Sequence, residues 1–307
     1  MKKNLFYFLA IVLSIVFVSC EKIGGSGTST KPSGGSNSHA GGVLNGEFSV
    51  SQTKKVRFSQ GNLQYQATTK TWRFAENQYD FIGNYNAKIA ETYDGWIDMF
   101  GWATSGYNDK MPTLNDRYDF EYVDELADIA GTNSDWGVYN AISNGGNEAG
   151  LWRTLTIEEW QYILEQRPDA EAKKAVASIN GNNGVIILPD NWICPIGIVF
   201  TAGGIKVEDG EVNTNIEQYS QHQTFNSEEW SYLEQSGAVF LPAAGDRYGS
   251  YVNRLQESGK YWAPQENNAS SYRGYLDIST TGAGLGGHTQ DYYYGYSVRL
   301  VKDVVTE

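Results

Sequence analysis

Histidine, the commonest general base, is scarce here: the 307-residue chain has His39, His222 and His288. His39 falls in a Gly/Ser-rich stretch, and the other two stand alone in polar segments expected to be exposed loops. No His, Cys or carboxylate recurs at zinc-ligand spacing, so neither a metal site nor a cofactor is expected. The adjacent acids Glu158-Glu159 and Glu228-Glu229 are the next candidates. Neighbours on a helix diverge by about 100°, and one acid of each pair is better placed to cap its helix than to face a catalytic partner. A glycosidase needs two carboxylates about 5–10 Å apart, and acids are numerous without any spacing that marks such a pair. Gly282-Ala283-Gly284-Leu285-Gly286-Gly287 matches GxGxxG. A Tyr-rich run follows where a phosphate-binding helix should begin, so the segment reads as a flexible loop or tight bend. Asp190-Asn191-Trp192 offers calcium-type oxygens but reads better as a turn or cap. No catalytic residue is assigned.

Aromatic side chains are the positive functional signal. The chain has 9 Trp and 21 Tyr, many beside Asn, Gln, Asp or Gly. Rigid apolar faces with polar edges suit hydroxyl-rich ligands, which neighbouring amides can orient. The candidate ligand-binding residues are Trp262 with Gln265, Asn267 and Asn268, and the run Tyr292, Tyr293 and Tyr294. Core packing competes with binding at Trp262 and is the reading for Trp160, Trp192 and Trp230. Arg299, inside the expected final strand, is expected to satisfy a buried or semi-buried carboxylate.

Cys20 carries a different chemistry. Lys2 and Lys3 precede an uncharged run from Leu5 to Val18, too short to span a bilayer as a permanent helix, and Ser19-Cys20 ends it. A thiol at that position resembles the bacterial lipoprotein signal, in which the cysteine is lipidated and becomes the mature amino terminus. Residues 1–19 are thus read as a signal peptide and 20–42 as a lipidated tether. Glu21 to Gly42 contain seven glycines and five serines, and such a chain reaches roughly 25 Å on average. The expected location is the cell envelope, exposed on the outer membrane, with a lipid membrane as partner through Cys20. Removing Lys2 and Lys3 with the signal leaves 21 basic against 36 acidic residues, a formal charge of −15. That balance argues against nucleic acid as a partner. With Cys20 given to lipid, the fold is expected to rely on packing, and Cys194, among apolar neighbours, is expected to be buried and inert.

The elements that would position these residues are short. Glu47–Val50, Lys55–Phe58, Leu63–Tyr65, Trp72–Phe74 and Tyr79–Phe81 alternate polar with apolar and read as a β meander. Thr156, Glu159 and Trp160 form a capping box with a hydrophobic staple to Leu155; Asn226, Glu229 and Trp230 repeat it with Phe225. Both helices precede strand-like runs ending in Leu-Pro, Val185–Pro189 and Ala238–Pro242, through duplication or convergent capping. Asp119–Ile129 reads as an acidic helix. Tyr261–Ala263, Gly274–Ile278 and Tyr294–Leu300 read as later strands. Long loops are expected at Tyr107–Asn115, Gly145–Gly150 and Gly282–Thr289. Few helices among many short strands indicate an α+β class.

Six phrases occur in order: Val56-Arg57-Phe58-Ser59-Gln60-Gly61-Asn62-Leu63-Gln64-Tyr65; Asp98-Met99-Phe100-Gly101-Trp102-Ala103-Thr104-Ser105-Gly106; Trp136-Gly137-Val138-Tyr139-Asn140; Trp152-Arg153-Thr154-Leu155-Thr156; Phe240-Leu241-Pro242-Ala243-Ala244-Gly245; and Gly295-Tyr296-Ser297-Val298-Arg299-Leu300. Together they resemble exported Bacteroidetes lipoproteins related to the Fibrobacter succinogenes major paralogous domain. The resemblance implies one C-type-lectin-like domain over residues 43–304, of the fold shared with formylglycine-generating enzymes. It does not bring their chemistry. Those enzymes use a redox-active cysteine pair, which Cys194 alone in the folded domain does not supply. The Glu-Pro-Asn, Gln-Pro-Asp and Trp-Asn-Asp signatures of calcium-dependent sugar-binding lectins are also absent from the chain. The leading expectation is an envelope lipoprotein that binds glycans or another extracellular ligand without catalysis. A structural or adhesive protein acting through protein contacts is the alternative, and glycoside hydrolysis a distant third.

Overall fold

The computed structural model describes residues 39–113, 129–203, 207–208, 211–212, 218–265, 273–288 and 294–305. These residues form a mixed α+β architecture of few short helices, several mostly antiparallel sheets and long connections. Among the described residues the α-helices are α1 (Trp136–Tyr139), α2 (Ile157–Gln161) and α3 (Ser227–Gln235).

The central sheet orders its strands Gln223–Phe225, Lys174–Ile179, Asn182–Ile187 and Val239–Pro242. Its hairpin turns on Asn180-Gly181, both at positive φ (50° and 82°). That two-residue turn matches strand twist, and glycine tolerates the left-handed backbone without steric cost. Successive side chains then feed opposite faces. Val176, Val185, Ile187, Val239 and Leu241 join one core with Trp160. Ala175, Ala177, Ile179, Ile186 and Phe240 join another with Trp230. Helices α2 and α3 therefore contribute their indoles to opposite sides of one sheet, rather than packing on each other. The two Leu-Pro runs are neighbours in this sheet, with Val239 opposite Ile187.

Both capping boxes form. Thr156 accepts from the Glu159 amide at 3.3 Å, and the Glu159 carboxylate accepts from the Thr156 amide at 3.1 Å. Asn226 and Glu229 do the same at 2.9 and 2.8 Å. The α2 chain continues as a π-turn to Gln166, whereas α3 stops before Gly237 at φ 94°. A Cβ at Gly237 would lie 2.8 Å from the Gly46 Cα, so backbone packing also demands glycine there.

The opening strands do not form one meander. Lys55–Phe58 pairs with Phe48–Ser49 and with the final strand Leu300–Asp303, which pairs in turn with Arg153–Thr154. Leu63–Gln66 instead lies between Thr71–Phe74 and Trp96–Ile97. Tyr79–Phe81 is not a strand: Tyr79 ends a turn and the next two residues are irregular. These sheets enclose an aromatic core that includes Tyr65, Trp72, Trp102, Trp136, Trp152 and Trp262.

Other expectations need correcting. Residues 282–288 pair over their full length with Arg273–Ser279 and are a strand, not a loop. Tyr294–Leu300 is split into Tyr294–Gly295 and the separate Leu300–Asp303 strand. His222 is 1 % exposed, not in an open loop. Trp192 and Cys194 are only half-buried. His39–Gly42, read as the end of the tether, packs on the domain, with His39 3.6 Å from Glu234. Most of the expected helix 119–129 lies outside the described residues; Ile129 is buried and non-helical.

Candidate functional site

The strand Gly259–Trp262 runs antiparallel to Arg273–Ser279, with Lys260 opposite Asp277 and Trp262 opposite Tyr275. The intervening residues Tyr261, Leu276 and Ile278 enter the core, so the two-residue period leaves Lys260, Tyr275 and Asp277 on the other face. The third strand places Gly286 opposite Tyr275 and Gly284 opposite Asp277. A Cβ on Gly286 would come within 2.6 Å of the Tyr275 ring, while one on Gly284 would meet nothing within 4 Å. The glycines thus let the tyrosine ring lie on the strand and leave open space beside the carboxylate.

A second sheet brings more rings. Tyr248 pairs with Tyr294, with ring centroids 5.2 Å apart. Tyr294 stacks on Tyr296 at 5.8 Å, and Tyr275 meets Tyr296 edge-on at 5.3 Å. Lys260 Nζ sits among them, 4.1, 5.1 and 5.9 Å from the centroids of Tyr275, Tyr296 and Tyr294. It also donates to the Tyr296 hydroxyl at 3.4 Å. Electron-rich ring faces stabilise the ammonium and hold it in place. Burial raises the Asp277 pKa above its usual value, against the charges of Lys260 and Arg254. Nearby Asp246 is buried and held by Arg254 at 2.8 Å.

This arrangement is a half-buried shelf with apolar ring faces, a cation, phenol hydroxyls and one carboxylate. It can pack a planar or sugar-like face and hydrogen-bond its edge. Asp246, the neighbouring acid, is already paired with Arg254. Among the described residues, no three His, Cys, Asp or Glu side chains gather as a metal ion would require.

Of the residues singled out from sequence, Tyr294 lies on this shelf. Trp262 does not face it openly: at 1 % exposure, it donates from Nε1 to the Phe100 carbonyl at 2.6 Å. Its ring is covered by Tyr296 at 4.1 Å and Trp102 at 5.0 Å. Gln265 is half-buried at the end of a described segment. Asn267, Asn268, Tyr292, Tyr293 and Cys20 lie outside the described residues. Lys260, Tyr248, Tyr275 and Asp277 were missed. The alternation Lys260, Trp262 and Tyr275, Asp277 could have revealed them, but only with the pairing register known.

Arg299 immediately precedes the final strand and is 2 % exposed. Its hydrogen-bond partners are amides and a backbone carbonyl, not the expected carboxylate: Nη2 donates to Gln78 Oε1 at 2.7 Å, and Nη1 to Asn62 Oδ1 and the Phe240 carbonyl at 3.4 Å. Gln78 Nε2 then donates to Glu234 Oε1 at 2.9 Å, so the acid is reached through an intermediary. Asp190, considered as a calcium ligand, instead accepts from the Ser49 hydroxyl at 2.7 Å and from Arg167 at 3.3 Å.

Comparison with known proteins gave no match among family models, curated proteins or solved structures.

Proposed function

We propose that this chain is an exported envelope lipoprotein, tethered through Cys20 and displayed at the outer-membrane surface. Its domain over residues 43–304 is C-type-lectin-like and binds a glycan or another extracellular ligand without catalysis. The observation carrying the binding reading is the Lys260 shelf, where the rings of Tyr275, Tyr294 and Tyr296 surround a cation beside Asp277 and half-buried Tyr248 packs on Tyr294. Of the residues named as ligand-binding from sequence, Tyr294 lies on this shelf. The family resemblance rests on the six ordered phrases, and the mixed short-strand architecture agrees with the class it implies.

A glycan array probed with the mature chain, with and without calcium, tests binding. Saturable binding should weaken at least about tenfold in Tyr294→Ala or Lys260→Ala, a loss near 1.4 kcal/mol, while near-ultraviolet circular dichroism stays native. No saturable binding across host, dietary and microbial glycans would reject the glycan reading. Envelope cross-linking to a protein partner would then favour the adhesive role.

A further inference from the structure

From Asn191 to Gly203 no residue carries a charge, in a chain that is 19 % charged. Three side chains of this stretch point outward: Ile193, Ile196 and Val199 are 79, 87 and 65 % exposed. Ile198 and Phe200, flanking Val199, are buried in the core with Trp230, so the segment is held by its inward residues while presenting an apolar edge. Trp192 is half-exposed, stacked edge-on against Phe200 and anchored from Nε1 to the Ser236 hydroxyl at 3.0 Å. Clusters of large exposed apolar side chains mark a docking surface. An amphipathic indole beside them is typical of a surface that meets a lipid headgroup layer.

The route of the chain says which surface it meets. The first described residue, His39, lies against Glu234, at the carboxyl-terminal turn of α3. Trp192 is anchored to Ser236, two residues further along the same turn. Glu47 and Ser49 then run beside Asp190, their backbones bonded to its amide and carboxylate at 3.0 Å. The amino-terminal segment therefore enters at the end of the molecule that carries the apolar edge. Nineteen residues, Cys20 to Ser38, separate the proposed lipid attachment from that entry. A Gly/Ser-rich chain of that length has an average reach of roughly 25 Å, so attachment through Cys20 would hold this end of the domain toward the membrane.

We propose that the Trp192–Val199 segment docks on the lipid bilayer that holds Cys20, with Ile193, Ile196 and Val199 entering the headgroup and upper acyl region. The inference rests on the lipid-anchored reading above. It makes the tether one of two membrane contacts and orients the domain with α3's carboxyl-terminal end toward the bilayer. Because the segment is uncharged, docking needs apolar burial rather than anionic lipid.

The full mature lipoprotein reconstituted into phosphatidylcholine vesicles, with bromine on the acyl chains, separates the two claims. Flotation reports the anchor and quenching of tryptophan fluorescence reports docking. The expected result is flotation with a quenched component that disappears in Trp192→Phe. The same component should be lost in Ile193→Ser/Ile196→Ser/Val199→Ser, which still floats and keeps its near-ultraviolet circular dichroism. Flotation without Trp192-dependent quenching overturns docking and leaves the anchor intact; failure to float overturns both. Concentration-dependent self-association abolished by the triple serine variant, without quenching, assigns the edge to a second copy and overturns docking.

Discussion

At the residue scale, Gln78 shows how a buried cation is accommodated without a direct counter-ion among the described residues. Its Oε1 accepts from Arg299 and from the Phe240 amide, and its Nε2 serves Glu234 and the Ala238 carbonyl. Burial lowers the Arg299 pKa to about 10, opposed by Tyr261 and Glu234. Gln78→Leu leaves these buried groups without those bonds and should cost about 3–5 kcal/mol, read from urea unfolding. A cost below about 1 kcal/mol would show that water or relaxation replaces the amide. Asp98 offers a pH-dependent test. Buried completely, its carboxyl is pushed up from 3.8 to about 6 by desolvation, despite hydrogen bonds from Asn86 and the Ile82 amide. A carboxyl whose folded pKa is raised favours folding when protonated, so its stabilising effect declines as pH rises from about 4 through about 6. Asp98→Asn is neutral throughout and should gain on the native chain by on the order of 2–3 kcal/mol between pH 4 and 7. A pH-independent gap in their urea midpoints would remove desolvation as the cause.

At the element scale, the capping boxes and indoles do separable things. The α2 cap is tied into the sheets because Glu159 also binds Arg153 at 2.7 Å, and Arg153 reaches Asp303 of the final strand at 2.7 Å. Thr156→Ala should cost about 0.5–2 kcal/mol through the lost cap. Trp160→Ala, at 1 % exposure, should cost about 3–5 kcal/mol through a cavity at the α2 side of the central sheet. Thermal and urea unfolding measure both, and a near-zero effect at Trp160 would contradict its packing. These elements were legible because capping is local chemistry, written within four residues. The hairpin at Asn180-Gly181 carried an equally local signal, yet the strand Lys174–Ile179 went unread. Its sheet is buried on both faces, so the polar-apolar alternation of a surface strand does not appear there.

For the whole molecule, the proposed location and orientation depend on Cys20. Cys20→Ser should release the protein from membranes or leave it unprocessed, as read by fractionation and the mass of the mature amino terminus. Normal cleavage with unchanged membrane retention would sink the anchor. The chain has two cysteines, so a lipid thioether on Cys20 and a disulfide to Cys194 exclude each other, and intact mass distinguishes them. No helix among the described residues is long and apolar enough to cross a membrane.

Sequence alone determined what is encoded by neighbours: both capped helices, several short strands and the α+β class, each set by side-chain period or backbone capping within a few positions. It named Tyr294 as a candidate but also Trp262, because an aromatic beside polar residues looks the same whether its ring meets solvent or another ring. Only tertiary structure decided that difference, by covering Trp262 with Tyr296 and Trp102. The same long-range packing buried His222, put Gln78 between Arg299 and Glu234, and gathered Lys260 with tyrosines from strands dozens of residues apart. Burial depends on which distant strands pair and in what register, and a two-residue period cannot specify that partner.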